Sequence, residues 1–481
     1  MARDVFVQTS AQLNAALQEL RPGDAVILKN GTWRDANLVV TRGGAPDNPV
    51  TIRAESPGGV ILTGASVLAL NAAYVTVDGL LFHGGTVTQN AVVQFNSHDG
   101  TLRNSAIVDC NPAAFGTRYY WVFFAGDHNL VDRCYFKGKN NLEPLIGNAL
   151  EDSRHNSVTR SYFKNIPYVP NANGREIIRV WGSGKTDEHD DDGAYFTIED
   201  NLFDHADGEG TEIISLKSNH NVVRHNTVVA TRGGINIRRG NFNTVQGNVI
   251  LGQGTDGAAG LRMSGRDNLV QGNFVSGCTY GIRVACGEYI ADSLTAGYTP
   301  DVKPNGRKTG SVRIATYPQV VRLTLSRNVV TGCSGLDLEV GSDYKKHWPS
   351  SQQVLLPESC VIEDNTFVRP AGGTSVVFTV ADHLPPLERF TFKPNHCSGN
   401  LLVRPKSAVP PAPDGFEARD LAVYSPAPQG IPGLEALTAE DVGPAWIIAL
   451  RKAGDLSLET AAPGERPPTA VGHAKKKKPQ T

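Results

Sequence analysis

With 481 residues, 40% of them apolar, and 50 glycines, the chain is long enough for two domains or for one elongated repeat architecture with a continuous core. A formal net charge of −2 excludes the strongly basic surface of a nucleic-acid groove, so no nucleic-acid partner is expected, and no apolar run reaches the roughly 18 residues of a helical membrane span. Seven cysteines without metal-ligand spacing read as small buried residues, with at least one thiol unpaired because the count is odd.

The chain opens on MARDVFVQTSAQLNAAL, which lacks a basic leader followed by an apolar core. A secreted or periplasmic location would therefore need a leader ahead of this numbering. Ser10 followed by AQLNAALQEL predicts a capped amphipathic helix within about residues 8–21, and PGDAVILKNGTW then opens the first strand. This is the expected cover for the exposed strand edges at one end of a repeat stack.

A strand-and-turn phrase then recurs eleven times, from PVTIRAES (49–56) and YVTVDGLLF (74–82) through HNVVRHNTV (220–228) to CVIEDNTFV (360–368). Its central aliphatic residues are Ile52, Val77, Leu102, Val131, Val158, Ile198, Val223, Val245, Val270, Leu325 and Ile362. The steps between them are 25, 25, 29, 27, 40, 25, 22, 25, 55 and 37, a period near 25 with insertions. Three short strands and their turns need about that many residues, which predicts an all-β fold, a single-stranded right-handed parallel β-helix. A propeller is the rival, but its blades run to roughly 40–50 residues. Asn104, Asn201, Asn226, Asn248, Asn273, Asn328 and Asn365 end phrases where a left-handed turn and amide stacking on the next coil are expected.

The long steps mark loops at 182–194 and 286–318 that should project toward a binding face. The acidic run Asp187–Asp192 lacks the glycine-turn spacing of a calcium loop and reads as solvated. The organisation expected is a solenoid with its cap over 1–403, an extension over 404–459 that packs on or caps it, and a disordered tail over 460–481 holding the basic run Lys475–Lys478.

Strand alternation places Ile214 and Leu216 inward and Lys217 outward, with Arg179, Arg238 and Arg262 outward by the same parity. Four successive coils would then carry a cation ladder, and like charges about 4.8 Å apart call for an anion against them. Counting from the phrase anchors favours Arg239 over Arg238, so parity and register disagree; parity is preferred because turns vary in length. Glu209 and Glu212 lie one coil after Asn173 and Glu176, and two carboxylates with a side-chain carbonyl suit a hard cation such as Ca²⁺. Salt bridging to the arginines is the plainer reading of those acids. His220 and His225 occupy repeat positions filled elsewhere by Asp, Gly or Phe and read first as structural.

NANGREIIRVWG, GEGTEIISLKSNHN, GGINIRRGN and AAGLRMSGRDN, with NGTW and VDRCYFKGK, resemble polysaccharide lyase family six, whose members include chondroitinase B and alginate lyases. The resemblance covers roughly residues 20–400, and the 21-residue spacing from Lys217 to Arg238 fits the family pattern. It implies β-elimination on a uronate polymer, with Lys217 as base, Arg238 as the residue assigned as acid, and Asn173 and Glu212 as calcium ligands. Family members separate two glutamates by one residue, whereas here Glu209 and Glu212 have two between them, so Glu209 joins only if the turn bulges. Arg179, Arg239, Arg262, Arg266 and His220 are the candidate substrate contacts.

The substrate expected is alginate, because LTAEDVGPAW looks more like the alginate lyases of the family and no separate basic cluster for sulfate stands out between residues 175 and 270. Dermatan sulfate is the alternative. A glycosidase would need paired carboxylates about 5–9.5 Å apart, for which Asp200, Asp207 and Glu209 could be argued, but it leaves the lysine without a role. A non-catalytic polyanion-binding solenoid would need only the cations.

Overall fold

Short runs of alternating apolar and polar residues, each closed by a turn in left-handed conformation, dictate strands of three to seven residues that can stack only by pairing with the next copy of themselves. The computed structural model describes residues 2–149, 153–182, 193–289, 317–348, 351–370, 372, 374–382, 390–406, 411–423 and 430–459. They form a right-handed parallel β-helix of three long sheets of 14, 12 and 14 strands, in which each strand pairs with its counterpart one coil on. The acidic run Asp187–Asp192 and the tail from 460 lie outside the described residues.

All eleven phrase anchors sit in one sheet in direct register, from Ile52 opposite Val77 to Leu325 opposite Ile362. The ladder extends to Val26 before them and Cys397 after them, strands whose phrase is too degraded to recognise in the sequence. The anchors are fully buried, and the core runs without interruption from Val7 to Phe416. Within it Phe136, Phe163 and Phe203 stack at 5.0 and 4.7 Å, since strands about 4.8 Å apart put like residues of successive coils face to face. The seven cysteines are free thiols, six of them buried.

The phrase-end asparagines do not adopt the left-handed conformation expected of them, except Asn104 (φ 50°). In the other phrases the residue before the asparagine turns: Asp200, His225, Gly247, Gly272, Arg327 and Asp364 all have φ between 52° and 61°. The asparagines point inward instead. From Asn201 to Asn365 each donates through Nδ2 to the Oδ1 of the next, ending on Asn400, at 2.9–3.0 Å. That Oδ1 also accepts from the backbone N–H of the preceding asparagine, so a buried turn satisfies its own polar groups.

Helix α1, Ser10–Gln18, packs Leu13 and Leu17 into the core at the N-terminal end. Its cap is Thr9, one residue before the Ser10 expected, with the Thr9 hydroxyl accepting from Gln12 N at 3.2 Å. At the other end Phe416–Asp420 adds a parallel strand to Asn400–Arg404. Helix α2, Ala445–Lys452, lies on the flank of the third sheet, where Val442 and Ile447 meet Leu81, Val108, Tyr135, Tyr162 and Leu202. No helix among the described residues is long and apolar enough to cross a membrane.

Candidate active site

Five successive strands of the 12-stranded sheet carry the candidate residues: Ile178–Trp181, Glu212–Lys217, Gly233–Arg239, Ala258–Met263 and Tyr280–Ala285. Their register corrects the cation ladder. One column runs Arg179, Ser215, Asn236, Arg262, Arg283, and a second, two residues on, runs Trp181, Lys217, Arg239. Arg179 and Arg262 are thus separated by two neutral side chains and Lys217 stands in the other column, so the unbroken four-cation stack is replaced by two adjacent pairs, Lys217 with Arg239 and Arg262 with Arg283.

A register shift between Leu216 and Lys217 puts Arg239, not Arg238, opposite the lysine. A bulge breaks the two-residue alternation on which the parity argument rested, which is why parity and register disagreed. Both arginines reach the cluster. Arg238 donates to Glu212 Oε1 at 3.1 Å, and Arg239 lies 5.3 Å from the Trp181 ring. The same ring sits 4.9 Å from Lys217 Nζ and 5.5 Å from the Arg179 guanidinium, so one indole gathers three cations.

Glu176, Glu209 and Glu212 bring carboxylate oxygens to within 4.8 Å of one another. Glu212 opens its strand, almost wholly buried, and accepts from Ser215 Oγ at 2.5 Å as well as from Arg238. Glu209 comes from the preceding turn, where Gly208 (φ 55°) and Gly210 (φ 76°) take conformations that β-carbons resist. A second register shift, between Glu212 and Ile214, completes the bulge that its extra residue required. Glu209 Oε2 accepts from the N–H of Gly174 at 2.7 Å and of Arg175 at 3.3 Å. Glu176 Oε1 accepts from Lys217 Nζ at 2.7 Å, while its buried Oε2 has no hydrogen bond, with Arg179 Nη1 3.6 Å away.

Glu176 is the member that sequence reasoning noted as a neighbour but assigned no role. Its signal was a charged residue in the buried run REIIRV, one coil below Glu209. Asn173, the expected amide ligand, is exposed beside Gly174, whose N–H holds Glu209.

At an effective dielectric of about 20, two carboxylates about 4.8 Å apart repel by roughly 3 kcal/mol. Burial and the charges of Glu176 and Glu212 accordingly push Glu209 up to about 7. Burial pushes Glu212 the same way, but Arg238 and Lys217 outweigh it and hold that carboxyl below its usual range. The trio therefore has two acids partly neutralised by side chains, one that is not, and an orphaned oxygen on Glu176. These residues fit a hard cation bound through oxygen.

The other arginines are held by partners of their own. Arg179 donates to Tyr120 Oη at 2.9 Å and to Glu143 Oε2 at 3.3 Å, and Arg262 to Asp343 Oδ2 at 2.6 Å. The Tyr317 ring covers both Arg238 and Arg262, at 4.1 and 4.5 Å. Tyr317 belongs to the 286–318 loop expected to project toward a binding face, of which 290–316 lie outside the described residues; no motif or spacing singled out the tyrosine itself. Arg266 pairs with Asp267 at 2.7 Å and faces Phe242, apart from the carboxylates. His220 lies between Tyr195 and Phe242 in a ring stack that begins at His128 and His155.

A family model described as Chondroitinase B matches residues 7–286. Among solved structures, a PL6 family polysaccharide lyase from Pseudopedobacter saltans is 38% identical over 92% of this chain and 99% of its own, with a TM-score of 0.81. The PL6 family alginate lyase AlyGC is 25% identical, with a TM-score of 0.76 over 92% of this chain and 58% of its own. A mannuronic acid specific family 6 lyase from human gut microbiota, 23% identical over 94% of this chain and 98% of its own, shares the fold at a TM-score of 0.73. Curated protein sequences give no match. A model match spanning over half the chain and 38% identity along nearly all of it establish the kinship: the chain belongs to polysaccharide lyase family 6.

Proposed function

We propose that this lyase cleaves alginate by β-elimination. Lys217 takes the proton from carbon 5 of the uronate as the free amine, the electron pair forms the double bond between carbons 4 and 5, and the bond from carbon 4 to the leaving oxygen breaks. The observation that carries this reading is the convergence of Lys217 and Arg238, each on its own carboxylate of one buried trio, at 2.7 and 3.1 Å. An arginine is a poor proton donor at its usual pKa. Arg238 therefore steadies the departing oxygen while water supplies the proton.

Glu176, Glu209 and Glu212, with the Asn173 amide nearby, would hold Ca²⁺, which when bound supplies positive charge for the uronate carboxylate as negative charge builds there. The residues of the chain do the rest. The Trp181 face lies 4.9 Å from Lys217 Nζ and positions that side chain, and Arg179 and Arg239 beside it supply charge for an anionic polymer.

The test is the appearance of ultraviolet-absorbing unsaturated uronates when purified protein meets alginate. Dermatan sulfate is the second reading, because the matching family model is that of chondroitinase B. Initial rates on both polymers at equal uronate concentration and fixed salt decide between them: a faster rate on dermatan sulfate overturns the substrate and leaves the elimination standing.

A further inference from the structure

Three turns that follow successive strands of the third sheet, Tyr135–Lys137, Tyr162–Ile166 and Leu202–Ala206, meet on one buried side chain. It belongs to Arg175, which is 2% exposed and lies just ahead of the strand Ile178–Trp181. In the first turn Nη2 donates to Lys139 O at 3.1 Å and Nε to Asn141 O at 3.0 Å. Nη1 donates to Pro167 O at 3.0 Å in the second turn and to Gly208 O at 2.9 Å in the third. The Phe115 ring lies 5.4 Å from the guanidinium.

A buried guanidinium ordinarily meets a carboxylate or a phosphate, because taking its charge out of water is costly. Here all four side-chain hydrogen bonds end on backbone carbonyls, so the group fastens turns instead of neutralising an acid. The third turn is the one that needs fastening. It leads into Glu209 and Glu212 through Gly208 and Gly210, both in left-handed conformations. Arg175 meets it on two sides: the side chain holds the carbonyl of Gly208, directly before Glu209, and the Arg175 N–H donates to Glu209 Oε2 at 3.3 Å. The packing is close enough that a β-carbon on Gly208 would collide with Arg175 O. Glu176 follows Arg175 in the chain, so one residue adjoins the first carboxylate and grips the turn of the second.

We propose that Arg175 is a positioning residue that sets Glu209 against Glu176 and thereby the affinity of the acidic trio for a divalent cation, touching neither cation nor substrate. The inference rests on the reading of the trio as a Ca²⁺ site and adds the side chain that holds it in shape. A carboxylate on a loose glycine turn must be ordered when the cation arrives, whereas one already held loses little freedom on binding. Lysine is no substitute, because a single ammonium cannot span the turns of three coils as the planar fork does.

The experiment titrates Ca²⁺ calorimetrically into metal-stripped, full-length protein without substrate, for the wild type and Arg175→Lys. The variant should bind Ca²⁺ about tenfold or more weakly, the scale of losing a group that orients a metal ligand. Turnover lost at the Ca²⁺ concentration that half-saturates the wild type should return in large excess Ca²⁺. A clamp that merely braces the coils would lower the urea midpoint of metal-free protein and leave Ca²⁺ affinity within about twofold. That result overturns the inference, as does turnover that excess Ca²⁺ fails to restore. Where Arg175→Lys does not fold, Gly208→Ala parts the turn from Arg175 with the guanidinium intact; it must show the same weakened binding, and wild-type affinity there overturns the inference as well. A wild type that binds no Ca²⁺ removes the reading of the trio and the inference with it, whereas a wild type that binds it no better than the variants overturns the role of Arg175 alone.

Discussion

Glu209 carries the site's pH signature. Its folded-state pKa, pushed up to about 7 by burial and two neighbouring carboxylates, lies above the ordinary value of about 4.3 for an unfolded chain. The folded state therefore binds more protons than the unfolded one between those values, and stability is lost as pH rises through that window. Glu209→Gln removes the charge and keeps the shape. In metal-free protein the variant should melt above the wild type at pH 8, with the advantage shrinking toward pH 5; a melting-temperature difference that is flat across pH would refute the raised pKa. Added Ca²⁺ should raise the wild-type melting temperature more at pH 8 than at pH 5, because only the ionised trio binds it fully. Lys217→Ala should lower turnover by roughly 10³-fold, the scale of general-base catalysis, while polymer affinity stays within a few fold because Arg179, Arg239 and Arg262 remain. Retention of a tenth of the activity would show that another group takes the proton.

Tyr317 is where residue gives way to element. The ring reaches the site from outside the repeat and lies over Arg238 and Arg262, contacts worth about 0.5–2 kcal/mol each. Tyr317→Leu should cut kcat about tenfold by freeing Arg238, whereas Tyr317→Phe, which keeps the ring face, should retain most of it; equal losses in both would assign the effect to the hydroxyl. The repeat itself is held by its asparagines. Asn248→Ala removes the acceptor for both Asn226 N and Asn226 Nδ2 and the donor to Val223 O, so buried groups lose partners at about 1–3 kcal/mol each. A loss near 3 kcal/mol in urea unfolding is expected.

These elements also show what a sequence can carry. The anchors were legible because a buried aliphatic repeated every coil has only one register that keeps it inward. The asparagines were found but placed one residue late in the turn, since the left-handed position accepts Asp, His, Gly or Arg and leaves no single-letter signature, while the inward position accepts only an amide that can bridge coils. The bulge at Lys217 hid the pairing with Arg239 because an inserted residue reverses parity without altering composition. Glu176 and Tyr317 escaped for different reasons: the first sits in a run that reads as core, and the second meets its arginines across 79 and 55 residues of chain.

At the scale of the whole molecule, a solenoid is stabilised chiefly by contacts between neighbouring coils, so any segment that crosses several coils adds cooperativity that the repeat alone lacks. The C-terminal segment does this on the flank opposite no catalytic residue. Leu437 N donates to Thr227 Oγ1 at 2.8 Å, Trp446 Nε1 to Asn104 O at 2.9 Å, and Glu459 accepts from Lys164 at 3.0 Å and Arg451 at 2.5 Å. Between these ties Ile447 is buried against side chains of successive coils, Leu81 to Leu202. Ile447→Asp puts a charge with no partner into that contact, a change that costs several kcal/mol if the strap stays and releases it if the strap lets go. Release is the smaller cost, because the solenoid core from Val7 to Phe416 is complete without Ile447. Amide exchange should then quicken in Leu80–His83, Ala106–Val108, Tyr135–Lys137, Tyr162–Ile166 and Leu202–Ala206, the strands beneath the strap, while Glu212–Lys217 and Gly233–Arg239 keep their protection and kcat holds within about twofold. Uniform loss of protection across both sheets would mean that the strap and the coils unfold as one unit, and that the C-terminal segment is part of the catalytic fold rather than a brace laid across it.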